Sequence, residues 1–361
     1  MNEKSRVLIF TTAYRPLVGG SEIALEEIIR RLPNVFFDIL TPRYKSGLAS
    51  KEDFENGCIH RIGFGNSINK LFFPISGFVS AIKFRPKQIH AYQASYGAGA
   101  AFVYKIFFPK TRFILTLQEG KKLDEQNFII KYFRSLIIMK ADVITAISHY
   151  LANYVRKINS KAELHIIPNG VDLDKFRHMP NSDENVVITV SRLVSKNGVG
   201  DIVKAMAIVK KEINDAKLIV VGSGPLEQEI KQSIKDLDLE DHVIMAGSQS
   251  PENVIGYLAK AKIFVRPSLS EGLGNAFLEA MAVGLPVIGT AVGGIPDFLK
   301  DKQTGLFCNV NDPRDLALKI KTLLTEKELR TRMIDNGIKL VEEKYDWNII
   351  AWKFREIYGY A

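Results

Sequence analysis

Short apolar runs alternate with amphipathic stretches along almost the whole chain. Val7–Thr11 reads as a first buried strand. The stretch behind it carries Leu25, Ile28, Ile29 and Leu32 at the i, i+3, i+4, i+7 spacing of a helix face, with Ser21 as its expected N-cap. Phe36–Leu40, Gln88–Ala91, Arg112–Leu117 and Val143–Ala146 are further strands, with helical patterns between several of them. A break falls at Ile167-Pro168-Asn169-Gly170, followed by the polar stretch Met179–Asn185. The alternation then starts again. Val186–Val190, Lys217–Val221, Val243–Ala246, Ile263–Val265 and Val287–Gly289 read as strands, and helices are expected over Asp201–Lys211, from Asn275 and after Leu316. This pattern predicts an α/β protein of two Rossmann-like domains, each a parallel sheet covered by helices. The expected spans are 1–170 and 171–344, with a terminal amphipathic stretch over 345–361.

The 361 residues exceed what one hydrophobic core usually supports. The two cysteines, Cys58 and Cys308, lie far apart, so a reducing setting fits better than a disulfide framework, and no Cys or His spacing suits a metal. The longest apolar stretch, Leu71–Ile82, is interrupted by Pro74 and Gly77 and falls short of the ~20 residues that span a bilayer. No stretch reads as a secretory signal, and a cytoplasmic protein is expected.

The net charge of +9 is uneven. Residues 1–170 hold 24 Lys+Arg against 13 Asp+Glu, and the remainder holds 25 against 27. A basic first half suits an anionic partner or is simply a solvated surface. Lys121, Lys122, Lys131, Arg134 and Lys140 interleave with Phe128, Ile129, Ile130, Phe133 and Ile137, which describes either a membrane-surface helix or a core helix with a charged back. Nucleic acid is not expected, since no recognition motif accompanies the charge.

The chemistry concentrates at strand ends in the second half. Glu271-Gly272-Leu273-Gly274-Asn275 follows a strand and opens a helix that contains Glu279. Open α/β sheets bind ligands at such carboxyl ends. The free amides of a helix start suit a diphosphate, and the glycines admit close approach. Carboxylates repel phosphate, so Glu271 and Glu279 are expected to face hydroxyls, as in a ribose or hexose diol. Ser191-Arg192-Leu193-Val194-Ser195-Lys196-Asn197 follows another strand and gathers two cations where an anion would be welcome. Gly222-Ser223-Gly224-Pro225 is either a donor-binding turn with Pro225 at a helix start or only a tight turn. It lacks the full dinucleotide fingerprint, which disfavours a nicotinamide enzyme. Gly19-Gly20, after the first strand, is a further loop suited to ligand approach.

Together these residues resemble glycosyltransferase family 4 with its two-domain GT-B fold. The likeness is carried by Gly19-Gly20, Ile167–Asp172, Ser191–Val194, Val221–Pro225, Pro267–Ala282, Gly289–Asp297 and Thr304–Leu306. It implies a retaining, metal-independent transfer from a nucleotide-sugar bound between the domains, with no cofactor. Arg192 and a nearby lysine would neutralise the donor diphosphate, Glu271 would lie against the sugar and Glu279 against the ribose. Gly20 would approach the phosphates, and the last helix would cross back onto the N-terminal domain. The family's usual lysine position holds Asn197 here, with Lys196 one residue earlier. A frequent His of the first domain is replaced by Gln118 in Thr116-Leu-Gln-Glu-Gly120. The expected partners are a UDP- or GDP-sugar donor, a glycan or lipid-linked acceptor, and an anionic membrane. A nucleotide-sugar epimerase and a catalytically weak sugar-nucleotide-binding module are the alternatives.

Overall fold

The computed structural model describes residues 5–17, 19–66, 68–120, 123–176 and 184–359. Lys121 and Lys122, and residues 179–183 of the polar stretch, lie outside them. The chain divides into two units. Residues 1–169 with 347–361 make unit 1, and residues 170–346 make unit 2.

Unit 1 contains β1 (Ser5–Thr11), α1 (Gly20–Arg30), β2 (Val35–Pro42), β3 (Lys51–Phe54), β4 (Gly57–Ile62), α2 (Asn69–Ile82), β5 (Gln88–Tyr92), α3 (Tyr96–Phe107), β6 (Arg112–Leu117), α4 (Phe128–Lys140), β7 (Val143–Ala146), α5 (His149–Ile158) and β8 (Glu163–Ile166). The eight strands run in the order β3-β4-β2-β1-β5-β6-β7-β8, all parallel except that β3 is antiparallel to β4. Leu25, Ile28, Ile29 and Leu32 are buried as their spacing predicts, because α1 and the strand below it share one apolar layer with Val7, Ile9 and Phe37. Ser21 does not cap α1. The cap is Gly19, and Ser21 sits inside the helix, where its hydroxyl donates to Glu22 Oε1 and accepts from Gln93 Nε2. Pro74 lies within α2 rather than ending it.

Unit 2 contains β9 (Val186–Val190), α6 (Val199–Val209), β10 (Lys217–Val221), α7 (Glu227–Asp236), β11 (Val243–Gly247), α8 (Pro251–Leu258), β12 (Ile263–Arg266), α9 (Asn275–Ala282), β13 (Val287–Thr290), α10 (Ile295–Phe298), β14 (Gly305–Cys308), α11 (Pro313–Thr325) and α12 (Lys327–Lys344). Its six strands are all parallel in the order β11-β10-β9-β12-β13-β14. Pro225 lies just ahead of α7, whose N-cap is Leu226, and not at its first position. Val187, Val220, Val265 and Ile288 from the sheet meet Ile202, Met206 and Ile320 from the helices in one core.

The last helix, α13 (Trp347–Ile357), belongs to unit 1. Trp347, Ile350, Phe354 and Tyr358 enter the same apolar layer as α1. His90 in the sheet bonds the Tyr358 hydroxyl through Nδ1 at 2.8 Å and Thr116 Oγ1 through Nε2 at 2.6 Å. Burial drives the His90 pKa down to about 3, so the ring is neutral. Among the described residues, no helix is long and apolar enough to cross a membrane.

Candidate functional site

Both sheets reverse their winding direction once. In unit 2 the chain moves from β9 outward to β10 and β11, then returns to lay β12 on the other side of β9. The loops after β9 and β12 therefore leave the same carboxyl edge in opposite directions, and such a point is where doubly wound sheets bind ligands. Ile263 pairs with Val187 and Phe264 with Ile188, so Val190 and Arg266 end their strands at one level.

Arg266 was not singled out by the sequence pattern, which ends its strand one residue earlier. It organises the region. Its Nη2 donates to Glu271 Oε2 at 2.7 Å and to Asn197 Oδ1 at 3.1 Å. The signal in the sequence is a lone cation closing the otherwise apolar run Ile263–Val265. Lys196 Nζ stands 3.9 Å from the same Glu271 oxygen and 3.5 Å from the carbonyl of Ser270. Glu271 is thus a largely buried carboxylate with a guanidinium and an ammonium beside it.

Asn197 is buried, and its side chain is used within the protein. Its Nδ2 donates to the carbonyl of Arg192 at 2.6 Å while its Oδ1 receives Arg266. The backbone on either side of Arg192 is tied as well, since Ser191 N donates to Val221 O and Leu193 N to Ser223 O. The Arg192 guanidinium projects from this fixed backbone, exposed and with no ion pair among the described residues. Ser191 Oγ, Ser268 Oγ and Arg266 Nε are buried here without a hydrogen-bond partner. Protein partners thus leave three polar atoms unmet at this carboxyl edge, where most buried polar groups are paired.

Gly274 caps α9 with φ +103°, a backbone conformation that favours glycine, so the helix starts directly after the turn. Leu273 beneath it is buried, Gly272 N donates to Glu271 Oε1, and Asn275 opens the helix. Phe277, Ala280 and Met281 anchor α9 in the core. Glu279 lies one turn further in, where burial raises its pKa to about 7 against the opposing pull of Arg266. Gly222 serves protein backbone. It has φ +132°, and a Cβ there would stand 2.0 Å from Ser191 O, as one at Gly224 would stand 2.4 Å from Leu193 O. Both glycines let the loop after β10 close against the loop that carries Arg192.

In unit 1 the reversal falls between β1 and β5. Gly19 and Gly20 stand after β1, Gln93–Ser95 after β5, and Gln118–Gly120 after β6. Gln118 Oε1 accepts from Asn169 Nδ2 at 3.4 Å.

The surface of unit 1 carries an unusual apolar display. On α4, Phe128 is 78% and Phe133 57% exposed, with Ile129, Ile130 and Tyr132 beside them, while Arg134 and Ile137 are buried. On α2, Leu71, Phe72, Ile75 and Val79 are exposed. α3 packs against both helices. The pattern of a core helix with a charged back is therefore reversed at the start of α4, where the apolar residues face outward.

Two consecutive sequence profiles cover the chain. That of Glycosyltransferase Family 4 matches residues 18–175, and that of Glycosyl transferases group 1 matches residues 171–340. An uncharacterized glycosyltransferase of Methanocaldococcus jannaschii is 29% identical, with 97% of each chain covered. The GDP-mannose-dependent alpha-(1-6)-phosphatidylinositol monomannoside mannosyltransferase of Mycobacterium tuberculosis is 26% identical over 98% of this chain and 97% of its own. Among solved structures, sucrose-phosphate synthase of Thermosynechococcus elongatus superposes with a TM-score of 0.87 at 21% identity, covering 99% of this chain and 98% of that one. Anabaena HepE in complex with UDP-glucose gives 0.81 at 17% identity, covering 98% and 99%. These likenesses show the GT-B fold. With residues 18–340 spanned by the two profiles and the sheets wound as described, the chain is a glycosyltransferase and belongs to the family 4, group 1 glycosyltransferases.

Proposed function

We propose that unit 2 binds a UDP- or GDP-linked sugar and that the enzyme transfers its hexose-type sugar, with retention of configuration and without a metal, to a glycan or lipid-linked acceptor in cell-surface polysaccharide or glycoconjugate synthesis. The observation that carries this reading is the carboxylate of Glu271 held by Arg266 and Lys196 at the reversal point of the unit 2 sheet, directly before the N-terminus of α9. Arg192, Lys196 and the amides at Gly274-Asn275 are assigned to the diphosphate. As the bond at the anomeric carbon breaks, negative charge grows on the leaving diphosphate, and fixed cations and amide dipoles favour that state over the bound donor. Glu271 is assigned to the sugar hydroxyls and Glu279 to the ribose diol. A GDP-mannose-dependent relative and a fold neighbour holding UDP-glucose support the two donor classes.

Unit 1 is assigned to the acceptor. The outward apolar residues of α2 and α4, on the half of the chain that carries the excess of Lys and Arg, support peripheral docking on the cytoplasmic face of an anionic membrane. Flotation with vesicles containing anionic lipid tests that part, and absence of co-migration removes it.

A panel of UDP-, GDP- and ADP-sugars screened for thermal stabilisation tests the donor assignment, because a ligand of the native state raises the melting temperature by mass action. Stabilisation by a UDP- or GDP-sugar is the expected result. No shift with any of them overturns the reading.

A further inference from the structure

At the reversal point of unit 1, the turn after β5 grips the loop after β1 on both sides of Gly19-Gly20. Ahead of the glycines, Thr12 Oγ1 meets Ser95 Oγ at 2.7 Å and accepts the Gly97 amide at 3.0 Å. Behind them, Gln93 Nε2 donates to Ser21 Oγ at 3.0 Å. The turn is itself pinned, since Gln93 N donates to Thr116 O at 2.8 Å and Ala94 N to Glu119 Oε1 at 2.7 Å. Gln93 takes φ +65°. That left-handed backbone is uncommon outside glycine, and glutamine lacks the short local hydrogen bonds that ease it for Asn and Asp. Such outliers gather at functional sites, where the surrounding structure holds them in place.

The direction of the contact is forced. The Glu22 carboxylate only accepts, so the Ser21 proton goes to Glu22 Oε1 at 2.9 Å. Ser21 Oγ must then accept from Gln93, and only an amide nitrogen can supply that proton. The relay ends beside Gly19, because a Cβ there would stand 2.6 Å from Glu22 Oε2. Gly19 caps α1 with no side-chain hydrogen bond to its first amides, so the relay is what ties this turn to the rest of the edge. Doubly wound sheets bind ligands at such edges. We propose that Gln93 is a positioning residue for sugar transfer, which through Ser21 fixes the first turn of α1 and the Glu22 carboxylate. This rests on the reading of unit 1 as a substrate-binding half. Gln93 acts as a hydrogen-bond donor, so an isostere that cannot donate must fail.

Q93E keeps the size and reach of the side chain, loses the donor, and sets two carboxylates on one hydroxyl. Release of nucleotide diphosphate from UDP-glucose and GDP-mannose is followed with methyl α-D-mannopyranoside, and with water alone, as acceptor. At pH 8 the kcat of Q93E should lie at least about tenfold below wild type, the worth of one such hydrogen bond. UDP and GDP should bind both proteins equally. Lowering the pH to 5 should narrow the gap, because the new carboxyl beside Glu22 takes up a proton it can then donate to Ser21. Glu22 and Glu119 titrate in both proteins, so the ratio of rates isolates position 93. No gap at pH 8, or a gap that stays constant down to pH 5, overturns the proposal. Failure of the wild type to bind UDP or GDP counts against the donor reading alone. In that case, or if the wild type turns over neither donor, hydrogen exchange of the Ile23 amide decides, since it bonds Gly19 O at 3.0 Å. Exchange at least about tenfold faster in Q93E at pH 8 supports the positioning role, and equal exchange overturns it. Should Q93E fail to fold, S21A breaks the same contact from the other side and is read by its rate and its Ile23 exchange at pH 8.

Discussion

Arg266 holds Glu271 across 2.7 Å, and the two side chains are almost equally withdrawn from solvent. Glu271 would otherwise be an enclosed carboxylate with only Lys196 at 3.9 Å to oppose it. Removing one partner of a buried ion pair leaves an uncompensated charge, which costs roughly 3–5 kcal/mol. Arg266→Ala should therefore lower the unfolding free energy by about 3 kcal/mol, measured by urea titration, and abolish most of the transferase activity. A stable, active Arg266→Ala variant would separate Glu271 from the assigned chemistry.

The neighbouring asparagine makes a second test. Both ends of the Asn197 amide are engaged, one by the Arg192 carbonyl and one by Arg266. Asn197→Lys restores the residue usual at this position in the family, yet it removes the acceptor of Arg266 and sets a like charge beside it. A loss of stability of about 2–4 kcal/mol is expected. Lys196→Ala should fold normally and transfer sugar slowly. A dead but well-folded Asn197→Ala beside a fully active Lys196→Ala would refute the assignment of Lys196 to the diphosphate.

Glu279 connects stability to pH in an unusual direction. Its pKa rises from 4.5 to about 7 on folding, through burial. Below 4.5 it is protonated in both states. Between 4.5 and about 7 the unfolded chain releases the proton while the folded one retains it, so this group lowers stability as pH rises through that window. Glu279→Gln should raise the melting temperature of the ligand-free protein at pH 8 and change it little at pH 5. The same variant should weaken nucleotide diphosphate binding by about 1.5–3 kcal/mol, the worth of hydrogen bonds to a charged group. Wild-type affinity should increase with pH through about 7, as the ionised carboxylate accepts the ribose diol. Calorimetric titration at several pH values measures both effects, and an affinity equal in wild type and variant would discard the ribose assignment.

His90 gives the opposite slope. Its pKa falls from 6.5 to about 3 on folding, so the unfolded chain binds a proton that the folded one refuses. Stability from this group is complete above 6.5 and is lost as pH drops toward 3. Tyr358→Phe removes a buried hydroxyl from His90 Nδ1 and should cost about 1–3 kcal/mol at pH 7. Thermal melts that fail to distinguish Tyr358→Phe from wild type would show that the end of the chain contributes nothing through this contact.

Much of this architecture is legible in the residues. β7, β9 and β10 occupy the segments their apolar runs indicate, because strands buried on both faces of a parallel sheet read as continuous hydrophobic stretches. β3, with the sequence Lys-Glu-Asp-Phe, and β8, with Glu-Leu-His-Ile, carry no such run. They are edge strands open to solvent, which can be polar and still pair. Glu271, Lys196 and Arg192 stand out as charges at strand ends. Arg266 does not, because its meaning lies in a partner brought near by folding, Asn197 sixty-nine residues away. Asn197 reads as a ligand-side amide, and only packing reveals that its two ends are already engaged.

The return of α13 to the first unit makes the second unit an insertion. Its two ends are stitched together by the bridge between Val171 and Asp346 and by the Val171 amide on the Tyr345 carbonyl. Residues 170–346 thus leave and re-enter the polypeptide at one point, with a complete sheet and core of their own. A fragment cut at those two positions is expected to fold alone, and a cooperative thermal melt of residues 170–346 would measure it. The same arrangement lets the whole segment be exchanged as a single cassette between chains of this architecture.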